Sequence, residues 1–420
     1  MNPLDTFLSE HDRLTRRFFL STGVAGAALL AARTQSARAG DVAPELAEVI
    51  EKLESFLTPP DKFRDVSRGK PLPHSLPPEK KTEVGLTRET WKLEVTSDTD
   101  KSAARLKKPM MKADGTALDF NGLMHIAETH AVRFAKVMTC LNIGCPLGTG
   151  IWEGVPLREI IWRTQPVENL RRVFYYGYHN DDAGQMFRSS LPIGRVLEDP
   201  YDLPPVILCY KLNGQFLSPE RGGPVRVVVP EAYGFKSIKW LSHIVLTNLA
   251  YANDTYIDGN NDVDSPLKTW AATLSVPKEV AANKPIPATG YAQVGISGLS
   301  KVQVWICEKG KEPENDPNFT TPTWTDATIL DAPQPGNWGG ELPDGKIPSN
   351  TLGFDADGRP KTWPMRLSKA HWAALLPGLP AGEYALRSRT IDEKGHAQPM
   401  PRPFRKSGHA AIEQVSFVVK

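Results

Sequence analysis

The stretch from Val137 to Leu157, VMTCLNIGCPLGTGIWEGVPL, constrains this chain more than any other, because two of its four cysteines lie there. An apolar segment ending at Met138 predicts a buried strand, and the glycines and proline beyond Asn142 require a loop. Cys140 therefore lies where a strand becomes a loop, which is where a rigid element presents a reactive side chain. A cysteine there serves as buried filler, as half of a disulfide, or as a thiolate aimed at a ligand.

A second stretch, from Arg221 to Leu241, RGGPVRVVVPEAYGFKSIKWL, carries four cations. They are Arg221, Arg226, Lys236 and Lys239. A Gly-Gly-Pro turn, a valine-rich strand and a loop place them on irregular structure rather than along one helix face. Such a cluster suits a phosphate or another anion.

Together the two stretches resemble the sulfite oxidase family of molybdopterin enzymes. In that family the molybdenum-binding cysteine is followed by W-x-G-x-P-L, which Trp152 to Leu157 match here. A P-V-R-V-V-V-P segment followed by G-x-x-x-x-K-W-L binds the pterin in that family. Pro224 to Pro230 match the first part, and Gly234 with Lys239 to Leu241 match the second.

The resemblance implies a mixed, strand-rich α+β molybdopterin domain over residues 40–268, followed by an all-β immunoglobulin-like domain of the dimerisation type over residues 269–420. Short alternating runs from Trp270 onward are typical of an antiparallel sandwich. A segment rich in proline, glycine and aspartate, residues 308–370, interrupts the second domain. We interpret this insertion as a partner or lid surface, or as a disordered decoration.

The resemblance also implies a molybdenum ion held by two dithiolene sulfurs of one pterin and by one cysteinate. Soft sulfur ligands suit a metal that must accept electrons. Cys140 is the predicted metal ligand and Cys145 is the alternative. Asn142 is predicted to shape the open face of the metal.

The phosphate of the pterin requires cations. By the resemblance, Arg226 and Lys239 match the phosphate-binding residues of the family, Arg221 replaces a histidine, and Lys236 adds charge. The alternative for these four residues is a solvated strand edge.

The segment from Phe63 to Pro73, FRDVSRGKPLP, departs from the F-x-x-R-N-H pattern of the family. Val66 falls where the family has its active-site arginine, and Arg68 where it has a histidine. This departure puts sulfite as the substrate in doubt. Arg188, beside a Ser-Ser-Leu-Pro turn, is predicted to supply the missing substrate cation.

Two further residues are site candidates by the resemblance. Tyr256 lies in the region where the family places a tyrosine at the active site, with a surface tyrosine as the alternative. His179 follows a strand where family members line the pterin cavity, and an ordinary polar turn is the alternative.

The first 39 residues predict an export signal. Thr15 to Leu20, TRRFFL, is a twin-arginine pattern, and a short apolar run and an Ala37-Arg38-Ala39 cleavage-like site follow it. This route carries folded proteins, so we expect a periplasmic protein. No other apolar run approaches the roughly 20 residues of a spanning helix, which predicts no stable membrane insertion.

Charge and cysteine spacing exclude several classes. Residues 1–39 hold five of the 50 basic and three of the 48 acidic residues, which leaves 45 of each, so a nucleic-acid partner is not expected. The sequence contains no C-x-x-C-H, so no haem of the c type is expected on this chain.

The activity implied by the resemblance is two-electron oxygen-atom transfer on a small-molecule substrate. The electrons would pass to a separate protein such as cytochrome c, and a homodimer or a heteromeric partner is expected. Two alternatives remain: a sulfoxide or N-oxide reductase of the same superfamily, and a cofactor-free binding subunit of a redox complex.

Overall fold

The structure, a computed structural model, describes residues 43–98, 104–143, 145–258, 261–264, 266–399 and 407–420. The predicted export signal lies outside these residues. The helices are α1 Pro44–Glu51, α2 Pro78–Glu83, α3 Phe120–His130, α4 Leu157–Arg163 and α5 Ile193–Glu198. Among them, none combines the length and the apolarity that crossing a bilayer requires.

Strands dominate the structure, as the predicted fold class requires. Those of the first half are β1 Lys92–Ser97, β2 Leu118–Asp119, β3 Val132–Thr139, β4 Pro146–Pro156, β5 Arg172–Gly177, β6 Arg188–Pro192, β7 Ile207–Leu212, β8 Gln215–Phe216, β9 Arg226–Val228 and β10 Leu241–Thr247. Those of the second half are β11 Trp270–Ser275, β12 Glu279–Val280, β13 Ile286–Val294, β14 Lys301–Glu308, β15 Thr325–Ile329, β16 Thr351–Leu352, β17 Ser368–Leu376, β18 Gly382–Ile391 and β19 Glu413–Val419.

Two sheets build the first half. One has the order β2-β1-β10-β5-β6, and the other has the order β16-β3-β4-β7-β8 with β9 paired to β7. Buried side chains of both sheets meet in one apolar core that includes Leu93, Val155, Tyr175 and Ile244. Helices α3, α4 and α5 contribute buried residues to this core, so the first half is the mixed α+β unit that was predicted.

Strand β3 is tied directly to the loop that follows β9. Lys136 is fully buried in β3, and its Nζ donates to the backbone oxygens of Pro230 (2.8 Å) and Ala232 (2.9 Å). These bonds satisfy a charged group that burial would otherwise destabilise, and burial lowers the pKa of Lys136 to about 7. The two stretches that dominate the sequence are thereby held side by side.

The second half is a β-sandwich in which the strand order is β11-β13-β17-β15-β14-β18-β19-β12. Strand β15 connects its two parts, because Thr325 to Ala327 pair with β14 while Thr328 and Ile329 pair with β17. The predicted all-β second half is confirmed. Its immunoglobulin-like topology stays a prediction.

The alternative that residues 308–370 are a disordered decoration is wrong, and their role as a partner or lid surface stays a prediction. The insertion contributes β15 to the sandwich and β16, which pairs in parallel with β3. Its Trp338 is fully buried and packs edge-on against Phe56 and Phe354. The apolar residues of the insertion are spaced singly among prolines and glycines, so the sequence showed no periodic pattern.

Helix α1 ends at Glu51, and Phe56 and Leu57 beyond it pack beside Trp338. Strand β17 was not predicted, since Lys369 interrupts its apolar pattern. Lys369 is nevertheless buried and contacts Glu54.

Candidate active site

A cavity of about 340 Å³ lies where β3 ends, bordered by the residues after β5, the turn before β9 and the segment 63–73. Cys140 and Asn142 both line it. Cys140 is half-buried, directly after Thr139, whose Oγ1 donates to Gln293 Oε1 at 2.5 Å. The end of β3 is thereby anchored to the second half, and the thiol is presented to the cavity from a fixed strand.

Cys145 does not line the cavity. Its Sγ accepts a hydrogen bond of 3.0 Å from Nη1 of Arg64. The two candidate thiols of the loop are therefore distinguished by position, since only Cys140 borders the cavity.

Three of the four predicted anion-binding cations line the cavity: Arg221, Arg226 and Lys239. Burial lowers the pKa of Arg226 to about 10 and that of Lys239 to about 8. Arg226 donates to the backbone oxygens of Arg221 (2.9 Å) and Ser237 (2.6 Å), while Lys239 Nζ donates to Asp65 Oδ1 (2.6 Å).

The turn before β9 brings Lys239 into this cluster. Gly222 has a φ of 92°, a conformation that favours glycine, and a Cβ at this position would crowd the side chain of Lys239. Its backbone oxygen also accepts a hydrogen bond from the amide of Trp240 at 3.1 Å. The Gly-Gly-Pro turn is thus required for the lysine to pack here.

Lys236 is not available to a ligand in the cavity. Its side chain is buried behind the wall and its Nζ lies 2.6 Å from Asp254 Oδ1, because a buried ammonium needs a nearby carboxylate. Arg188 does not line the cavity either. It is exposed at the start of β6, and its backbone amide donates a hydrogen bond to the hydroxyl of Thr255.

Tyr256 and His179 both line the cavity. The ring of Tyr256 packs edge-on against Phe187 (5.4 Å) and Phe235 (5.8 Å). His179 is half-buried, and its Nδ1 is buried without a hydrogen-bond partner within the described protein.

Sequence reasoning missed Arg68 and Arg64, which line the cavity from the segment 63–73. The guanidinium carbon of Arg68 lies 5.0 Å from the ring centroids of both Phe187 and Tyr256. Nη2 of Arg68 also donates a hydrogen bond to the Tyr256 hydroxyl. The signal was present in the sequence, since Arg68 belongs to the segment whose pattern departs from the family.

The lining is strongly cationic. Among the described residues of the cavity wall, five are arginine or lysine and none is aspartate or glutamate. The five are Arg64, Arg68, Arg221, Arg226 and Lys239. This charge balance selects anions, because opposite charge steers and stabilises a ligand in a narrow cavity.

Comparison with known proteins shows what part of this chain is similar to a known family. Residues 80–255 match the family model described as oxidoreductase molybdopterin binding domain. Sulfite oxidase of Gallus gallus is 34% identical over 104 residues, which cover 24% of this chain and 22% of that protein. The NADH nitrate reductase of Spinacia oleracea is 27% identical over 187 residues, 42% of this chain and 20% of that protein. Residues 80–255 are thus similar to a molybdopterin-binding oxidoreductase domain, as sulfite oxidase and nitrate reductase are.

The matched region spans about a fifth of the length of these relatives. The crystal structure of the sulfane dehydrogenase SoxCD from Paracoccus pantotrophus is similar in fold over most of the chain. It aligns with a TM-score of 0.55, covering 91% of this chain and 93% of that one, at 16% identity. That likeness shows a shared fold.

The residues that line the cavity fit a molybdopterin. Nε of Arg226 and Nδ1 of His179 are buried without a partner in the described protein, and a ligand with several acceptor or donor atoms would satisfy them. Among the described residues, no group of three or more His, Cys, Asp or Glu side chains could hold a metal. The Cys140 thiolate is a soft sulfur ligand of the kind that suits a redox-active metal.

Proposed function

We propose that this chain is a periplasmic, molybdenum-dependent oxidoreductase of the sulfite oxidase and sulfite dehydrogenase type. It transfers an oxygen atom between water and a small-molecule substrate. The electrons pass to a separate carrier protein such as a cytochrome c.

One observation carries this proposal. A single cavity brings together the Cys140 thiol and five cationic side chains, with no carboxylate among its described lining residues. A thiol alone would be explained by packing in the core, and a cationic cleft alone could bind any anion. Their combination suits a metal bound to an anionic organic cofactor.

Each residue has a defined part in holding the cofactor. The Cys140 thiolate would bind the metal, while Arg221, Arg226 and Lys239 would hold the phosphate. His179 would donate a hydrogen bond to the pterin, or accept one from it, through its unpartnered Nδ1. When bound, the cofactor supplies a metal that accepts two electrons and exchanges an oxygen atom.

Arg68 and Tyr256 would orient the substrate. The Tyr256 oxygen already accepts a hydrogen bond from Arg68, so its own proton is directed to another acceptor, such as a substrate oxygen. Arg68 has five N–H groups, and those not used by Tyr256 can bind an anionic group. Arg68 thus takes the role first assigned to Arg188.

The decisive experiment measures molybdenum in purified protein from a host that makes the cofactor. Wild type is compared with Cys140→Ser and with Cys145→Ser as the matched control. We expect near-stoichiometric metal and a visible thiolate-to-molybdenum absorption in wild type and Cys145→Ser, and loss of that absorption in Cys140→Ser. Metal-free wild type would overturn the proposal and favour a cofactor-free binding subunit.

The second candidate function is reduction of a sulfoxide or an N-oxide. It is favoured by Val66, which stands where the family has its active-site arginine and is 37% exposed. A substrate panel separates the two functions: sulfite and a sulfane compound as electron donors, against nitrate, a sulfoxide and an N-oxide as electron acceptors. Reduction of ferricytochrome c identifies the first function, and oxidation of a reduced viologen dye identifies the second.

The periplasmic location rests on the twin-arginine pattern at Arg16 and Arg17. Replacing both with lysine should retain the protein in the cytoplasm, which cell fractionation measures directly. Unchanged export of this variant would contradict the predicted route.

A further inference from the structure

A buried ion pair lies behind the cavity wall. Nζ of Lys236 is 2.6 Å from Oδ1 of Asp254, and the two side chains are 1% and 0% exposed. Asp254 also accepts hydrogen bonds of 2.6 Å from the hydroxyls of Ser189 and Ser190. Nζ of Lys236 donates a second bond, of 2.8 Å, to the backbone oxygen of Ser190. The pair is therefore fixed to β6 on both sides.

Each partner lies close in sequence to residues of a different wall of the cavity, although neither lines the cavity itself. Lys236 ends a short 3-10 helix whose Gly234 and Phe235 line the cavity, and its backbone oxygen accepts a 2.8 Å bond from Tyr175 Oη. Asp254 lies two residues before Tyr256. The ion pair thus connects the wall that carries Phe235 with the loop that carries Tyr256.

Residues 254–258 do not form a strand. Besides the ion pair, they are held by the backbone amide of Thr255, which donates to the oxygen of Arg188 at 3.1 Å, and by packing of the Tyr256 ring against Phe187 and Phe235. A buried ion pair contributes little net stability, because desolvation offsets most of the attraction. Separating the two partners would leave an uncompensated buried charge, so the chain is held to the conformation that keeps them together.

We propose that Lys236 and Asp254 are positioning residues that hold Tyr256, and through it Arg68, at the cavity. This proposal deepens the proposed function, since it identifies what fixes the groups that orient the substrate. Lys236 acts on the geometry of the site without contacting the cofactor or the substrate.

The first test needs no activity. Hydrogen–deuterium exchange is measured on cofactor-free Asp254→Asn and on the double variant Lys236→Met/Asp254→Asn, which buries no unpaired charge. Lys369→Met, which breaks a buried lysine contact in β17, is the matched control. We expect exchange in residues 254–258 to rise at least tenfold in both Asp254 variants and to stay unchanged in the control. Wild-type exchange in the double variant would overturn the proposal.

The second test uses the loaded enzyme and its kinetics. If Asp254 acts through Tyr256, Asp254→Asn lowers kcat/KM about tenfold in the wild-type background but has no further effect beside Tyr256→Phe. Fully multiplicative losses would assign the pair a purely structural role. If wild type binds no molybdenum, the proposed function fails, yet the exchange measurement still decides the positioning role.

Discussion

The guanidinium of Arg68 stacks on the ring of Tyr256, 5.0 Å from its centroid, and donates a hydrogen bond to its hydroxyl. The two residues are 188 positions apart in the sequence. Gln185 holds the backbone of the Arg68 segment, because its Oε1 accepts a hydrogen bond of 2.8 Å from the amide of Lys70. A cation and a phenol, both of which can donate hydrogen bonds to an oxyanion, are therefore assembled from distant segments.

Removing the Arg68 guanidinium should weaken anion binding. Charge-assisted hydrogen bonds contribute about 1.5–3 kcal/mol, so Arg68→Met should lower sulfate affinity roughly 10- to 100-fold. Isothermal titration calorimetry on the cofactor-loaded protein measures this loss. Arg188→Met is the matched control and should bind sulfate like wild type. A loss in the control variant instead would return the substrate cation to Arg188.

The buried Lys239 should make stability depend on pH. Burial lowers its pKa in the folded protein from 10.5 to about 8. Between these values the unfolded chain binds more protons than the folded one, so Lys239 makes wild type gain stability as pH rises. Relative to Lys239→Met, the free energy of unfolding of the cofactor-free wild type should increase from about pH 8 toward 10.5, by at most about 1.4 kcal/mol per pH unit. Urea titrations across this range measure the difference, and a constant or falling difference contradicts it.

Much of the cavity lining was predictable because its proposed metal and phosphate residues lie in two short segments. Cys140 follows an apolar strand, and Arg226 and Lys239 lie in a segment rich in glycine and valine. These segments are far apart in the sequence, and their meeting in space was implied by the resemblance. All three line the cavity. The strand-rich fold followed from the same segments and from the alternating runs beyond Trp270.

The remainder depended on contacts that sequence does not encode locally. Lys236 and Lys239 are three residues apart in an irregular segment, and no periodicity tells which of them faces a ligand. The outcome depends on Asp254, which pairs with Lys236. Arg68 reaches the cavity only because its loop is held against Gln185 and Asn180.

The insertion should contribute to the stability of the whole fold. Trp338 is fully buried against Phe56 and Phe354, so Trp338→Ala should reduce the free energy of unfolding by about 3–5 kcal/mol. Leu352→Ala, at a position that is 44% exposed, is the control and should change it by less than about 0.5 kcal/mol. Denaturant unfolding measures both variants. A near-neutral Trp338→Ala would mean that the insertion packs independently of the core.

Thiol reactivity separates the four cysteines and tests which one binds the metal. Burial raises the pKa of Cys209 to about 12 and also raises the pKa of Cys307, so neither should react with iodoacetamide in the folded protein. Cys140 and Cys145 are half-buried and should both be alkylated in cofactor-free protein. Loading with the cofactor should protect Cys140 alone, because a metal-bound thiolate is no longer a free nucleophile. Peptide mass spectrometry before and after loading shows the pattern, and protection of Cys145 in place of Cys140 would reassign the ligand.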